Sequence, residues 1–214
     1  MCGECVSSDV RLGDRDYRIL NEVYRWRVCL GRHLCSLAKY TSTRACDRRL
    51  RELIDARLLE RKKILYGVPS IYFLTHRAKV LIHVPRRKEN IKIEQISHDI
   101  SVLDTAIYIH NSKGIPFEDM TTEKQLHSQD GFGNRAHRPD FVFTYGLKTI
   151  CVEVELTLKA KARLEKNIKD NFSAYDQQLW VVPDFNTKIY TILKQNRTAY
   201  PNIEILDIGV IKNG

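Results

Sequence analysis

The sequence has no apolar run approaching the roughly 20 residues that carry a helix across a membrane. Its opening stretch, MCGECVSSDVRLGD, has no apolar core of the kind that directs secretion. A cytoplasmic protein with no membrane partner is therefore expected. In a cytoplasmic protein the six cysteines, at 2, 5, 29, 35, 46 and 151, are expected to be reduced. Cys2 and Cys5 form C-x-x-C, but no spacing to Cys29, His33 or Cys35 matches a standard finger, so zinc at Cys2/Cys5 is not expected. Cys29, Cys35, Cys46 and Cys151 read as small buried apolar residues.

Acid is scarce in the first half. Residues 1–93 carry 21 Lys and Arg against 10 Asp and Glu, whereas residues 94–214 carry 14 against 16. The formal net charge of +9 thus belongs to one half of a 214-residue chain, a length that allows one large domain or two small ones. A basic half beside a near-neutral half predicts two domains, the basic one meeting a polyanion. No strongly basic helix with a bulky apolar face stands out, so nucleic acid is the expected partner rather than a membrane surface.

The basic half reads as three helices and a hairpin. Asp14 is a candidate cap for a helix over 15–29, with Tyr17, Leu20, Val23 and Tyr24 on one stripe. Gly31 breaks it, and a short helix follows over 32–39. Ser42 or Thr43 caps a third helix running to about Leu58. On that helix Cys46, Leu50, Leu53 and Ile54 share a face, and Arg44, Arg48 and Arg51 share the opposite one at i, i+4 and i+7, flanked by Arg49 and Arg57. LLERKKILYGVPSIYFLT (58–75) then predicts strand, turn at Gly67–Val68–Pro69, strand. A helix holding Arg77, Lys79 and Val80 closes the unit. This order is that of a winged helix-turn-helix over 10–85, its third helix entering the major groove of double-stranded DNA. Arg44, Arg48, Arg49 and Arg51 are its candidate DNA contacts, and Arg61, Lys62 and Lys63 on the wing would meet phosphates.

A polar stretch at 86–94 reads as linker, and 95–212 as a second, α/β domain. The spacing Ile96, Ile100, Leu103, Ile107 predicts a helix to about His110, with His98 and Asp99 near its start. His98 reads as a structural histidine. PFEDMTTEKQLH (116–127) reads as a strand carrying Glu123, SQDGFGNRAHR (128–138) as a loop, and PDFVFTYG (139–146) as a strand. TICVEVELTLK (149–159) alternates Val152, Val154 and Leu156 with Glu153 and Glu155, predicting a strand with one apolar and one doubly acidic face. Helices over 159–172 and 185–197 and strands over 177–184 and 202–209 complete an α-β-β-β-α-β-α-β order, a mixed sheet flanked by helices.

Pro139–Asp140 followed by Glu153-x-Glu155 on the next strand, with a helix beginning at Lys159, resembles the PD-(D/E)XK nuclease superfamily. The resemblance implies Asp140 and Glu153 as catalytic residues and ligands of Mg²⁺ or Mn²⁺, with Glu123 a candidate helper. The superfamily's lysine is replaced by Glu155, so Glu155 becomes a candidate third ligand or general base. Lys159 is a candidate cation for the scissile phosphate, and Lys159 and Lys161 are also candidate salt-bridge partners for the two glutamates. Both halves together, with STRACDRRLRELIDARLLER, YFLTHRAKVLI, ISHDISVLD, RPDFVF and ICVEVELT, resemble the replication-relaxation family of plasmid and mobile-element proteins from about Leu12 to Ile208. That resemblance carries the family's histidine pattern to His98 and its acidic pair to Glu153 and Glu155. It implies a cytoplasmic DNA-binding protein acting in replication, relaxation or mobilisation, with a homodimer and relaxosome or replication proteins as partners. The nuclease-like domain would serve assembly or nicking. A metal-dependent endonuclease or nickase is the first alternative, and a winged-helix transcriptional regulator the second.

Overall fold

Asp14 and Asp16 stand in the first turn of the first helix, α1 (Asp14–Trp26), where carboxylates meet the positive end of the helix dipole. The structure, a computed structural model, describes residues 10–64, 66–86, 92–130, 137–158, 160–185 and 187–213. The protein is mixed α/β. It divides into two units, Met1–Ile100 and Ser101–Gly214, at a point inside a helix beyond the 86–94 stretch.

In the N-terminal unit Gly13, not Asp14, is the cap of α1, and its N–H donates to Asp16 Oδ2 at 2.8 Å. The helix stops at Trp26 because Arg27 adopts a left-handed φ of 63°. The predicted run to Cys29 is instead a short strand, β1 (Cys29–Leu30). Gly31 begins the next helix, α2 (Gly31–Leu37), rather than only breaking the previous one. Ser42 caps α3 (Thr43–Asp55), its hydroxyl accepting from Ala45 N–H. The hairpin follows as β2 (Leu59–Lys62) and β3 (Ile71–Leu74), then α4 (His76–Leu81). The three strands form an antiparallel sheet in the order β1-β3-β2. Ile19, Leu20 and Val23 of α1, Leu34 and Leu37 of α2, and Cys46, Leu50 and Leu53 of α3 are all buried, as the 3.6-residue period predicts.

The C-terminal unit begins within α5 (Ile96–Lys113) and continues as β4 (Thr121–Thr122), α6 (Glu123–Gln129), β5 (Phe141–Tyr145), β6 (Lys148–Val154), α7 (Lys161–Ala174), β7 (Gln177–Val182), α8 (Lys188–Asn196), β8 (Ile203–Asp207) and α9 (Ile208–Asn213). Its sheet runs β4-β5-β6-β7-β8; β4, β5 and β6 are antiparallel, and β6, β7 and β8 are parallel. Gly146, at φ 63°, makes the two-residue turn between β5 and β6. A core of Leu164 and Ile168 on α7, Trp180 and Val182 on β7, and Ile189 and Leu193 on α8 packs one face.

Three expectations for this half are corrected. Glu123 is the first residue of a helix, because Thr122 and Gln125 form a capping box that ends the strand at two residues. β6 has no acidic solvent face: flanked by β5 and β7, it is buried from Ile150 to Val154, Glu153 included. Glu155 lies outside the strand, since the chain bends at Leu156–Thr157, although its N–H still donates to Val181 O. The final helix α9 was not foreseen.

Candidate functional site

Two places hold the predicted functional residues, one in each unit. In the C-terminal unit the centre is Glu153. β6 pairs with β7 in parallel register, setting Glu153 beside Trp180. Because parallel neighbours share a face, its carboxylate meets α7 rather than water. There Glu153 Oε1 accepts from Asn171 Nδ2 at 2.8 Å and meets His137 Nε2 at 2.5 Å. Burial pushes the Glu153 carboxyl up; the His137 and Asn171 hydrogen bonds pull the other way and the Asp140 charge adds to the rise, leaving it above the usual carboxylate range. Burial also works against the His137 imidazolium, but the Glu153 hydrogen bond and the charges of Glu153, Asp140 and Asp170 outweigh it, so His137 lies above its ordinary value. The pair therefore keeps a proton above the pH at which a free histidine releases its own.

Asp140 reaches the same end of β6. Its Oδ2 accepts from Val154 N–H at 2.7 Å, its N–H donates to Val152 O, and its carbonyl accepts from Glu123 N–H at 2.8 Å. Glu123 thus abuts Asp140 through backbone, while its own carboxylate lies 3.7 Å from His127 Nε2. Arg138 pairs with Asp130 at the end of α6. Lys161 pairs with Glu165 along α7 and is mostly exposed. Lys159 lies outside the described residues, as do Cys2 and Cys5.

The structure sets Asp140 and Glu153 at one end of β6, and sequence reasoning missed His137 and Asn171. Asn171 had a signal. Leu164, Asn167, Ile168 and Asn171 form the buried stripe of α7, and an amide on an apolar stripe needs a partner inside. His137 had none, since it stands in a loop sixteen residues from Glu153.

A hard divalent cation here would need free carboxylate oxygens. One Glu153 oxygen serves both His137 and Asn171, and one Asp140 oxygen holds the Val154 N–H. Among the described residues no group of three or more His, Cys, Asp or Glu is arranged to hold a metal ion.

In the N-terminal unit α3 presents Arg44, Arg48 and Arg51 to solvent, opposite the buried Cys46, Leu50 and Leu53. Arg61, Lys62 and Lys63 are exposed on and after β2. Lys62 also pairs with Glu60 and lies over Phe73. Arg49 differs from its neighbours. It is turned to Asp16 on α1, donating from Nε at 2.8 Å and from Nη2 at 2.7 Å, and it also meets Glu52. Burial alone would push the Asp16 carboxyl up, yet the Arg49 guanidinium and Gly13 N–H hold it below the usual range. A groove of about 760 Å³ along β2 is lined by Arg57, Arg61, Lys62, His76 and Arg77 over Ile54 and Leu59. His98 belongs to this unit and lies 3.2 Å from Asp99.

Against known proteins, the chain matches no family model and no curated sequence. No helix among the described residues is long and apolar enough to cross a membrane.

Proposed function

We propose that this is a duplex-DNA-binding protein whose N-terminal unit is a winged helix and whose C-terminal unit is a nuclease-like domain used for assembly. The observation that carries the reading is the exposed stripe of Arg44, Arg48 and Arg51 on α3, opposite its buried face. Three converging arginines on one helix face suit a major groove, and the exposed Arg61, Lys62 and Lys63 on the following hairpin suit the adjoining phosphates. The order α1, α2, α3, hairpin, with a three-stranded β1-β3-β2 sheet, supports the winged-helix part. The antiparallel β4-β5-β6 meander, joined through α7 to parallel β7, supports the nuclease-like part. On the resemblance given above, the setting is replication, relaxation or mobilisation of a plasmid or other mobile element. A gel-shift series tests it. Arg48→Ala with Arg51→Ala should lower affinity for duplex DNA at least tenfold, and unchanged affinity at physiological salt would remove the assignment.

A second reading, metal-dependent nicking, is favoured by the closeness of the Asp140 and Glu153 charges. Supercoiled plasmid incubated with Mg²⁺ or Mn²⁺ should stay intact if the site is neutralised as described. Nicking that Asp140→Ala abolishes would establish the second reading instead.

A further inference from the structure

The groove of the N-terminal unit follows the open edge of its sheet. β2 is the outer strand of the β1-β3-β2 order, and among the described residues no strand pairs with its other side. The groove touches all four residues of β2, Leu59 to Lys62. Side chains alternate between faces along a strand, so a cavity that meets four consecutive residues lies along the edge rather than on one face. Thr75 N–H donates to Leu58 O at 3.2 Å, and the register sets Leu59 opposite Leu74 and Arg61 opposite Tyr72. Bonded and non-bonded pairs alternate in an antiparallel ladder. With Leu58 and Thr75 a bonded pair, Glu60 and Lys62 turn their backbone groups to β3, and Leu59 and Arg61 turn theirs to the open edge. Outward N–H and C=O groups on such an edge are a template for one more strand.

The surroundings decide which strand fits. Leu59 is buried and Ile54 half-buried, and they form an apolar floor. Arg57, Arg61, Lys62 and Arg77 stand exposed around it. Glu60 is the one acid among the described lining residues, and it pairs with Lys62. A second copy laid edge to edge would bring these cations against its own, which disfavours self-pairing. Duplex DNA offers phosphates but no row of N–H and C=O groups for Leu59 and Arg61. An extended peptide offers that row, and carboxylates on it complement the rim.

We propose that the groove along β2 is a docking site for an extended acidic segment of a partner protein. The segment adds as a strand to the β2 edge, its apolar side chains meet Ile54 and Leu59, and its carboxylates meet Arg57, Arg61 and Arg77.

The test uses the full chain and a fluorescein-labelled peptide of about eight residues that alternates Asp and Val, long enough to overhang the strand. Anisotropy should show saturable binding. The same peptide methylated on every backbone nitrogen keeps its charge, loses its donors and should not bind. Amide hydrogen exchange should slow at Leu59 and Arg61 on adding the first peptide and stay as it was at Glu60 and Lys62. Arg57→Glu, an exposed change outside the strand ladder, should weaken the peptide by about tenfold or more with the melting temperature kept. Equal binding of the methylated peptide would reduce the effect to charge attraction and overturn the proposal. So would unchanged exchange at Leu59 and Arg61, or protection of those two amides by a duplex oligonucleotide and not by the peptide. The α3 arginines take no part in these readouts, so this inference and the DNA-binding reading fail separately.

Discussion

Single residues decide what the acidic centre is. Glu153 is a carboxylate in a strand buried on both faces, and a charge there needs compensation from within the protein. His137 and Asn171 provide it from a loop and a helix. NMR titration of the His137 ring should give a value above 6.5, because the Glu153 hydrogen bond and the charges of Glu153, Asp140 and Asp170 together outweigh burial. In Glu153→Gln the Glu153 charge is gone while burial remains, so the value should fall below that of the wild type. The same value in both proteins would mean that the contact is not made in solution. His137→Ala removes the cationic partner and leaves Asn171 alone on the buried carboxylate, and urea melts at neutral pH should show a loss of about 3 kcal/mol.

At the scale of elements, Arg49 shows how a helix face can be divided between solvent and fold. It lies one residue from Arg48, yet a turn of about 100° carries it toward α1 and onto Asp16. Arg49→Ala should therefore cost stability, about 2 kcal/mol at neutral pH, given that Arg49 keeps some exposure. The pH dependence follows from Asp16, whose folded value lies below its unfolded value near 3.8. Its contribution is fully present above that unfolded value and is lost as pH falls through the folded one. The stability gap between wild type and Arg49→Ala should accordingly hold from pH 7 to about pH 4 and narrow in stronger acid. A gap that is constant down to pH 2 would show that the ion pair contributes nothing. The Glu123 segment makes a related point about elements. TTEKQ has the Thr and Gln of a capping box, and that local signal ended a strand that alternation alone would have continued.

For the whole molecule the decisive quantity is the charge asymmetry: 21 basic against 10 acidic residues in 1–93, and 14 against 16 in the remainder. If DNA is held through phosphates by the exposed Arg and Lys of α3 and the hairpin, about six counterions are released on binding. Raising salt from about 50 to 200 mM should then weaken binding of the full chain by about 10³-fold. Fluorescence anisotropy with a labelled duplex reads this directly. A flat salt response would show that some other contact supplies the affinity.

The sequence by itself determined the mixed α/β class, the positions of the main helices and of most strands, the hairpin at 59–74, and the exposed arginines of α3. Each of these is written in near-neighbour chemistry: a 3.6 or 2-residue period, a capping side chain, a turn glycine. It also determined that Asp140 and Glu153 meet, because a strand pair joined by the tight turn at Gly146 has only one sensible register. Tertiary structure alone decided what surrounds them. Whether β6 is a surface strand or a central one depends on β7, which arrives only after α7 crosses back, and that crossover buries Glu153. The same packing turned Arg49 from a surface cation into a tie between helices. Contacts between residues distant in sequence carry no local period or motif. They exist only once the elements have packed.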